Sequence, residues 1–565
     1  MTSWAPARLI YKLFIILSLT ALSTEVSTLC LSPVYGSIPS SRASPWDIPF
    51  PGIVVALLAS LSMSYLNKTN IAMLTKSLPM FGFCIPAIQL YLFKFSSIGP
   101  KWGPFFTALL TTLPLLYLSI LSVLGIGQEV WLTAGGVDSR LPIFGGLRNW
   151  QFCLTLLSYG FMNEVQKILN TRIPRLIAAW SGTSALFSRF GLQAAIAVLY
   201  ATLERSVKRL AFVGVIPLLH LIFVNPHLPL VYNTAVLNAT LRVEGYSLVA
   251  RQESLTGYIS VLDNVKDGFR AMRCDHSLLG GEWLNKPRGH PSVLNEPIYA
   301  IFVMLEAVRL VETESFPATV GNEKHALIIG LGIGTAPSAL AAHGVHTTTV
   351  EIDPVVIDFA KKYFNLAQNH TSIIGDAVEV VSDMQTPFPN RKAYDYIIHD
   401  VFTGGAEPID LFTREFLLDL RELLSPEGVI AINYAGDLLL PSAISAITTA
   451  VFVFPSCRLF RETPAPMPMG TEDFTNIVIF CRKSPGPFTF RKPVESDFLG
   501  SPARRQHLVP QHEVDETFYD EISRGKGTVI GRGQTGGLKA SQMRSAVGHW
   551  HVMRSVLPDV VWENW

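Results

Sequence analysis

The chain has 565 residues, of which 49% are hydrophobic and only 16% charged, and its formal net charge is +1. That length allows several domains, and the near-neutral balance gives no support for a nucleic-acid partner. Mean hydropathy is positive, so a membrane-like part is being averaged with a soluble one.

Residues 1–31 place Arg8 and Lys12 before the apolar core LFIILSLTAL, then small and polar residues. The run is short for a clean span and fits a signal peptide and a first membrane anchor equally. A Ser/Pro-rich connector follows at 37–46. Residues 50–231 then carry apolar stretches at 51–66, 71–93, 105–125, 150–162, 185–203 and 210–224. Several approach the length that crosses a bilayer, which predicts an all-α, multi-pass membrane bundle of about five to seven spans. Orientation stays open. The basic segments 167–175 and 205–209 would both be cytosolic, yet an apolar segment containing Arg189 lies between them.

After Pro226 the pattern changes. Residues 234–249, 257–261 and 268–272 alternate in strand fashion, which predicts a small antiparallel β-domain over 232–290. Residues 296–312 show helical apolar spacing. From 291 to 483 strands and helices alternate, predicting an α/β, doubly wound, Rossmann-like domain with a largely parallel sheet. Residues 484–565 are rich in Pro, Gly and charge, and read as a mostly irregular tail with a terminal helix and an aromatic end. The six cysteines are scattered, with no CxxC and no Cys/His ligand spacing. They argue against a zinc site or a disulfide framework and for reduced thiols.

The chemistry centres on 325–353, HALIIGLGIGTAPSALAAHGVHTTTVEID. It reads as a buried strand, a glycine turn (Gly330, Gly332, Gly334), a helix, and a second strand ending in Glu351. Such a turn lets backbone N–H groups approach a ligand, and an acid some twenty positions on accepts hydrogen bonds from ribose hydroxyls. Ligands of open α/β sheets bind beyond the carboxyl ends of the strands. Glu351, Asp376 and Asp400 fall there in succession. Their expected roles are the ribose, the adenine amino group and the reacting centre. Each acid alone reads equally well as a helix cap or a solvated loop carboxylate; the three together point to a nucleoside site. His399 is read as a core residue, because neighbours in a strand face opposite sides. Asn369-His370-Thr371 matches the glycosylation pattern and is read as a chance match on a loop.

GLGIGT, VEID, GDA, YDYIIHDVFTGGAEP and LFTREFL, taken together, resemble the spermidine/spermine synthase family, in its membrane-attached branch. RQESLTGYISV and CDHSLLGG resemble the family's N-terminal β-domain, so the resemblance covers about 234–483. It implies the S-adenosylmethionine-dependent methyltransferase fold, S-adenosylmethionine or its decarboxylated form as co-substrate, and a homodimer. It assigns nucleoside contacts to the glycine turn, Glu351, Asp376 and the adjoining Ala377. Asp400 would serve the attacking amine, and Tyr299 would stand in the substrate pocket. Three positions depart from the family. Ile333 replaces the aspartate that holds the aminopropyl ammonium, Thr403 the second acid of D-x-x-D, and Gly257 a nucleoside-binding glutamine. An ammonium buried without its acid is costly, so polyamine synthesis is disfavoured.

The reading that follows is a membrane-anchored S-adenosylmethionine-dependent transferase. It moves a methyl group to an amine or hydroxyl of a small-molecule acceptor, with Asp400 as the catalytic residue that orients or deprotonates the acceptor or stabilises the sulfonium, and no metal. An aminopropyltransferase in which Glu282 supplies the missing acid is one alternative. A ligand-sensing, non-enzymatic membrane protein is another. A nicotinamide enzyme fits less well, because Thr335 takes the third fingerprint glycine. The catalytic part is expected in the cytosol, where the donor is made.

Overall fold

The computed structural model describes residues 5–45, 49–66, 68–133, 149–203, 207–285, 294–312, 323–385, 393–401, 408–464, 473–515 and 527–565. Two compact units emerge: Met1–Leu241 with Gln252–Gly257 and Pro558–Trp565, and Arg242–Arg251 with Tyr258–Leu557.

The first unit is helical. Helix Ala5–Tyr35 packs on Thr112–Thr133, Asn149–Trp180 and Arg189–Leu203. Its buried face mixes apolar residues with hydrogen-bonding ones: Thr20 donates to Ser119 Oγ at 2.7 Å, and Ser23 accepts from Gln193 Nε2 at 2.7 Å. The count of five to seven spans is not met. Among the described residues two helices, Ala7–Tyr35 and Gly103–Thr133, are long and apolar enough to cross a membrane, or three if the bent pair Thr69–Lys76 and Leu78–Phe93 acts as one. Apolar content was read correctly, but the helices that carry it are broken. Pro49–Tyr65, Leu78–Phe93 and Arg189–Leu203 have 17, 16 and 15 residues. At 1.5 Å per residue the shortest reaches only about 22 Å of a roughly 30 Å hydrocarbon layer. Asn149–Trp180 has 32 residues but carries Glu164, Lys167, Arg172 and Arg175. The strand expected from 234 is helix Val231–Val243, whose buried Asn233, Leu237 and Leu241 recur every fourth residue. The terminal aromatic stretch joins this unit, with Trp565 buried against Phe93, Phe190 and His227 and the Arg189 guanidinium 5.6 Å from its ring.

The second unit holds two main sheets. The five strands β1 (Tyr246–Glu253), β2 (Tyr258–Asn264), β3 (Phe269–Cys274), β4 (Ser277–Trp283) and β5 (Glu296–Pro297) form a meander in chain order. The larger sheet contains β7 (His325–Ile329), β8 (His346–Glu351), β9 (His370–Ile374), β10 (Tyr394–His399), β11 (Leu424–Asp437), β12 (Ser456–Arg461), β13 (Phe474–Arg482) and β15 (His512–Glu513). Its order is β15-β12-β13-β11-β10-β7-β8-β9. The run β11-β10-β7-β8-β9 is parallel, whereas β13, β12 and β15 add antiparallel. β7, in the middle of the parallel run, is covered on both faces, which is why residues 326–329 are all apolar. Leu327 and Ile329 enter one core cluster, Ala326 and Ile328 the other.

Two expectations change here, and a third is sharpened. Residues 296–312 are not one helix: Pro297 closes β5, a short helix Ala300–Met304 follows, and a 3-10 segment Leu305–Leu310 leads into β6 (Val311–Glu312). Glu306 and Arg309, which on an amphipathic helix would face water, are buried against Arg504 and Asp497. The tail keeps its expected terminal helix, Lys539–Val556, but the largely irregular stretch before it is pinned to the unit by short elements. β14 (Thr489–Phe490) pairs with β6, β15 extends the large sheet, and helices Pro502–His507 and Lys539–Val556 pack within the unit. Finally, Cys457 and Cys481 lie opposite each other on β12 and β13 and form a disulfide, so reduced thiols throughout is incorrect. A separation of 24 residues carries no signal; the strand register brings them together.

Candidate active site

The glycine turn follows β7 because nothing larger fits. Gly330 has φ 87°, and a Cβ there would lie 2.1 Å from the Asp400 carbonyl oxygen. Gly332 has φ 55°, and its Cβ would lie 2.5 Å from the Leu279 carbonyl oxygen in β4. Left-handed backbone and close approach both demand glycine. The small sheet therefore sits directly on the turn.

Backbone bonds carry the strand pairing one residue past the strand ends. Gly330 N–H donates to Val350 O, Gly375 N–H to Glu351 O, and Asp400 N–H to Ile329 O, at 2.9–3.0 Å. Asp400, the glycine turn, Glu351 and Asp376 thus occupy the carboxyl ends of four adjacent parallel strands, as expected. Their side chains are used differently. Glu351 is buried, and its two oxygens accept from Leu331 N–H and Asp353 N–H, each at 2.9 Å. Burial pushes its carboxyl up to about 7, against the pull of those two bonds. This acid fixes the glycine turn, and only its remaining lone pairs are open to a ribose. Asp376 is exposed, and its Oδ1 caps helix Ala377–Asp383 by accepting from Val378 N–H at 2.8 Å. Ala377 buries its methyl in the core, so its side chain does not face a ligand.

Asp400 is half-buried just beyond β10, and its Oδ1 accepts from Asn433 Nδ2 at 2.8 Å. Burial raises its carboxyl to about 6, with the Asn433 bond opposing. The other Asn433 atom, Oδ1, is buried and has no hydrogen-bond partner among the described residues. Asn433 was missed from the sequence, although an amide inside the apolar run VIAINYAG was a signal. His399 turns to the opposite face, bonding Leu411 O at 2.9 Å and packing on Phe412 and Phe416; burial lowers its pKa to about 4.

Tyr299 is half-buried before helix Ala300–Met304 and packs on Phe302 at 6.0 Å. Its hydroxyl is buried and without a partner among the described residues, and burial raises its pKa. Thr403 lies outside the described residues. Ile333 is 6% exposed and packs among Leu331, Val355, Phe359 and Met272, so the lost acid is replaced by core. A cleft of about 160 Å³ opens at Ile333, Gly334 and Thr335, with Glu282, Asn295 and Arg504 on its walls. Glu351, Asp376 and Asp400 do not line it. No cluster suited to a metal ion occurs among the described residues.

The model of the spermine/spermidine synthase domain matches residues 309–468. The chain is 44% identical over 564 residues to an N-terminal histidine N-methyltransferase of Emericella nidulans, covering 97% of this chain and 96% of that protein. A polyamine aminopropyltransferase of Vibrio vulnificus is 39% identical over 128 residues, 22% of this chain and 42% of that one. Among solved structures, a probable spermidine synthase from Corynebacterium glutamicum aligns with TM-score 0.38 at 18% identity, over 50% of this chain and 95% of that one. Human methyltransferase-like protein 13 in complex with SAH aligns with TM-score 0.25 at 20% identity, over 39% and 93%. At those scores it is the strand order, not the superposition, that describes the fold.

Proposed function

The chain belongs to the family of the Emericella nidulans N-terminal histidine N-methyltransferase, and from that premise we propose that it methylates a nitrogen of an N-terminal histidine. It is an S-adenosylmethionine-dependent methyltransferase built on a spermidine-synthase-like domain. The observation that carries the acceptor reading is the end-to-end match to a protein of that activity. A peptide end takes the place of the small-molecule acceptor expected from sequence.

The residues present fit the donor. A glycine turn pinned by a buried acid suits the adenosine half, and Ile333 offers no charge partner to an aminopropyl ammonium. When bound, S-adenosylmethionine supplies a methyl group on a cationic sulfur. The protein's own part is alignment and proton handling. Glu351 would hold the turn and the ribose. Asp400, its carboxylate steered by Asn433 at 2.8 Å, would accept a hydrogen bond from the acceptor nitrogen and take its proton. The test is a peptide beginning with histidine, incubated with the full chain and S-adenosylmethionine and read by mass spectrometry. A gain of one methyl is expected, with none on the same peptide beginning with alanine. Equal methylation of both would sink the acceptor assignment.

Membrane attachment is the second part of the proposal. In the helical unit Thr20, Ser23, Gln89, Ser119 and Gln193 are buried, while Leu110, Leu157, Ile168, Leu199 and Ile216 are exposed. Helices in lipid turn polar groups toward one another and apolar ones outward. Retention in the membrane pellet after alkaline carbonate is expected; release into the supernatant would refute it.

A further inference from the structure

Among the described residues of the sheet-bearing unit, one feature does not suit a reducing compartment. β12 and β13 run antiparallel with Cys457 directly opposite Cys481, and their Cα atoms are 4.1 Å apart. Directly facing residues of an antiparallel pair come closest where no hydrogen bonds link them, so the register itself holds the two sulfurs in bonding range. Cys481 is fully buried in the core beside Ile430 and Phe454, and the pair is bonded. Disulfides persist in oxidising compartments and are rare in the cytosol.

An independent feature of the same unit points the same way. Asn-X-Thr occurs at Asn67, Asn238 and Asn369, and only Asn369 falls in the sheet-bearing unit. Asn369 and Thr371 are both exposed. Asn369 lies immediately before β9, the edge strand, at the opposite end of that strand from Asp376. A glycan there projects from the amino end of the strand, away from the tips that carry Glu351 and Asp400.

We propose that the sheet-bearing unit matures on the non-cytosolic side of a membrane, with Cys457–Cys481 closed and Asn369 an N-glycan acceptor. Closing the bridge takes two electrons and two protons from the two thiols, passed to the disulfide of an oxidoreductase that is itself reduced. At Asn369 the amide nitrogen bonds to the anomeric carbon of a lipid-diphosphate-linked oligosaccharide. The carbon–oxygen bond to the diphosphate breaks, the lipid diphosphate leaves with that bond's electron pair, and the amide proton passes to water. This reverses the cytosolic expectation drawn from where the donor is made, and it requires a carrier to bring the sulfonium donor across. It also agrees with the acceptor reading, on which this one sentence rests: chains begin with methionine, so an N-terminal histidine is supplied by proteolysis, such as removal of a secretory leader.

The experiment uses the full chain in eukaryotic cells, acid-quenched and treated with a maleimide mass tag before or after reduction, with and without a peptide N-glycosidase. The Cys457→Ser/Cys481→Ser double variant and Asn369→Gln assign the shifts. Two tags that appear only after reduction and vanish in the double variant, plus a glycosidase step absent from Asn369→Gln, are the expected results. Tagging of both cysteines without reduction would overturn the compartment. A closed bridge with no step at Asn369 would overturn the glycan and uphold the compartment. Neither readout involves methyl transfer, so failure here is distinct from failure on the histidine peptide.

Discussion

The helical unit and the sheet-bearing unit both bury aliphatic and aromatic side chains, but they use their buried polar groups differently. In the first, hydroxyls and amides are inside: Gln89 donates to Ser27 Oγ at 3.0 Å and Gln193 to Ser23 Oγ at 2.7 Å, tying helices far apart in sequence. In the second, the two faces of the large sheet bury aliphatic and aromatic residues. Its buried polar groups include ion pairs such as Arg504–Glu306 and the acids and amide at the strand tips. The same residue types therefore do different work. In the helices they join segments; at the strand tips one of them, Asn433, keeps an atom without a partner beside the candidate catalytic acid.

The sharpest way to break this contrast is Asp400→Asn. Turnover is expected to fall roughly 10²–10⁴-fold, about 3–5 kcal/mol, with donor affinity and melting temperature little changed. Rates on a histidine peptide and calorimetric donor titration measure both, and undiminished turnover would return Asp400 to a structural role. Next in size is Glu306→Ala, which strands the Arg504 guanidinium in the core, where it now makes bonds of 2.9 and 2.8 Å to Glu306. A loss of about 3–5 kcal/mol of stability is expected in denaturant unfolding, without loss of turnover per folded molecule.

A smaller effect comes from pH. The Asp400 carboxyl is raised to about 6 by burial, so it is a carboxylate above that pH and protonated below it. A proton acceptor is lost on acidification, and kcat at saturating peptide should drop about tenfold between a plateau near pH 8 and pH 5. Glu351, raised to about 7, should weaken donor binding from a slightly higher pH, as its hold on the Leu331 and Asp353 N–H groups relaxes. Donor affinity independent of pH between 5 and 8 would contradict that role. Thr20→Val is the mildest test. It removes a hydroxyl bonded to Ile16 O at 2.8 Å and Ser119 Oγ at 2.7 Å, for an expected loss of about 1 kcal/mol and unchanged turnover. A change in kcat would show that the helical unit does more than hold the enzyme in place.

Legibility from sequence differed between the units. The strand–turn–helix–strand core was readable because glycines at 330, 332 and 334 and an apolar four-residue run leave few backbone options. Opposite facing of His399 and Asp400 followed from strand alternation alone. Apolar runs in the helical unit gave composition but not helix ends, since breaks such as that between Lys76 and Leu78 depend on what packs alongside. Asp376 shows the limit at the site: the pattern placed it at a strand tip, and the fold spends one of its oxygens on a helix cap.

What the sequence determined by itself was local: the glycine turn, the order of the three acids along successive strands, and the alternation that makes an α/β sheet. Backbone sterics and side-chain period act over a few residues, so they can be read from neighbours. Tertiary structure alone decided that Asn433 meets Asp400 across 33 residues, that Arg504 meets Glu306 across 198, and that Cys457 faces Cys481. Those pairings exist only once distant segments have been closed into loops and packed, and no local preference encodes which partner arrives.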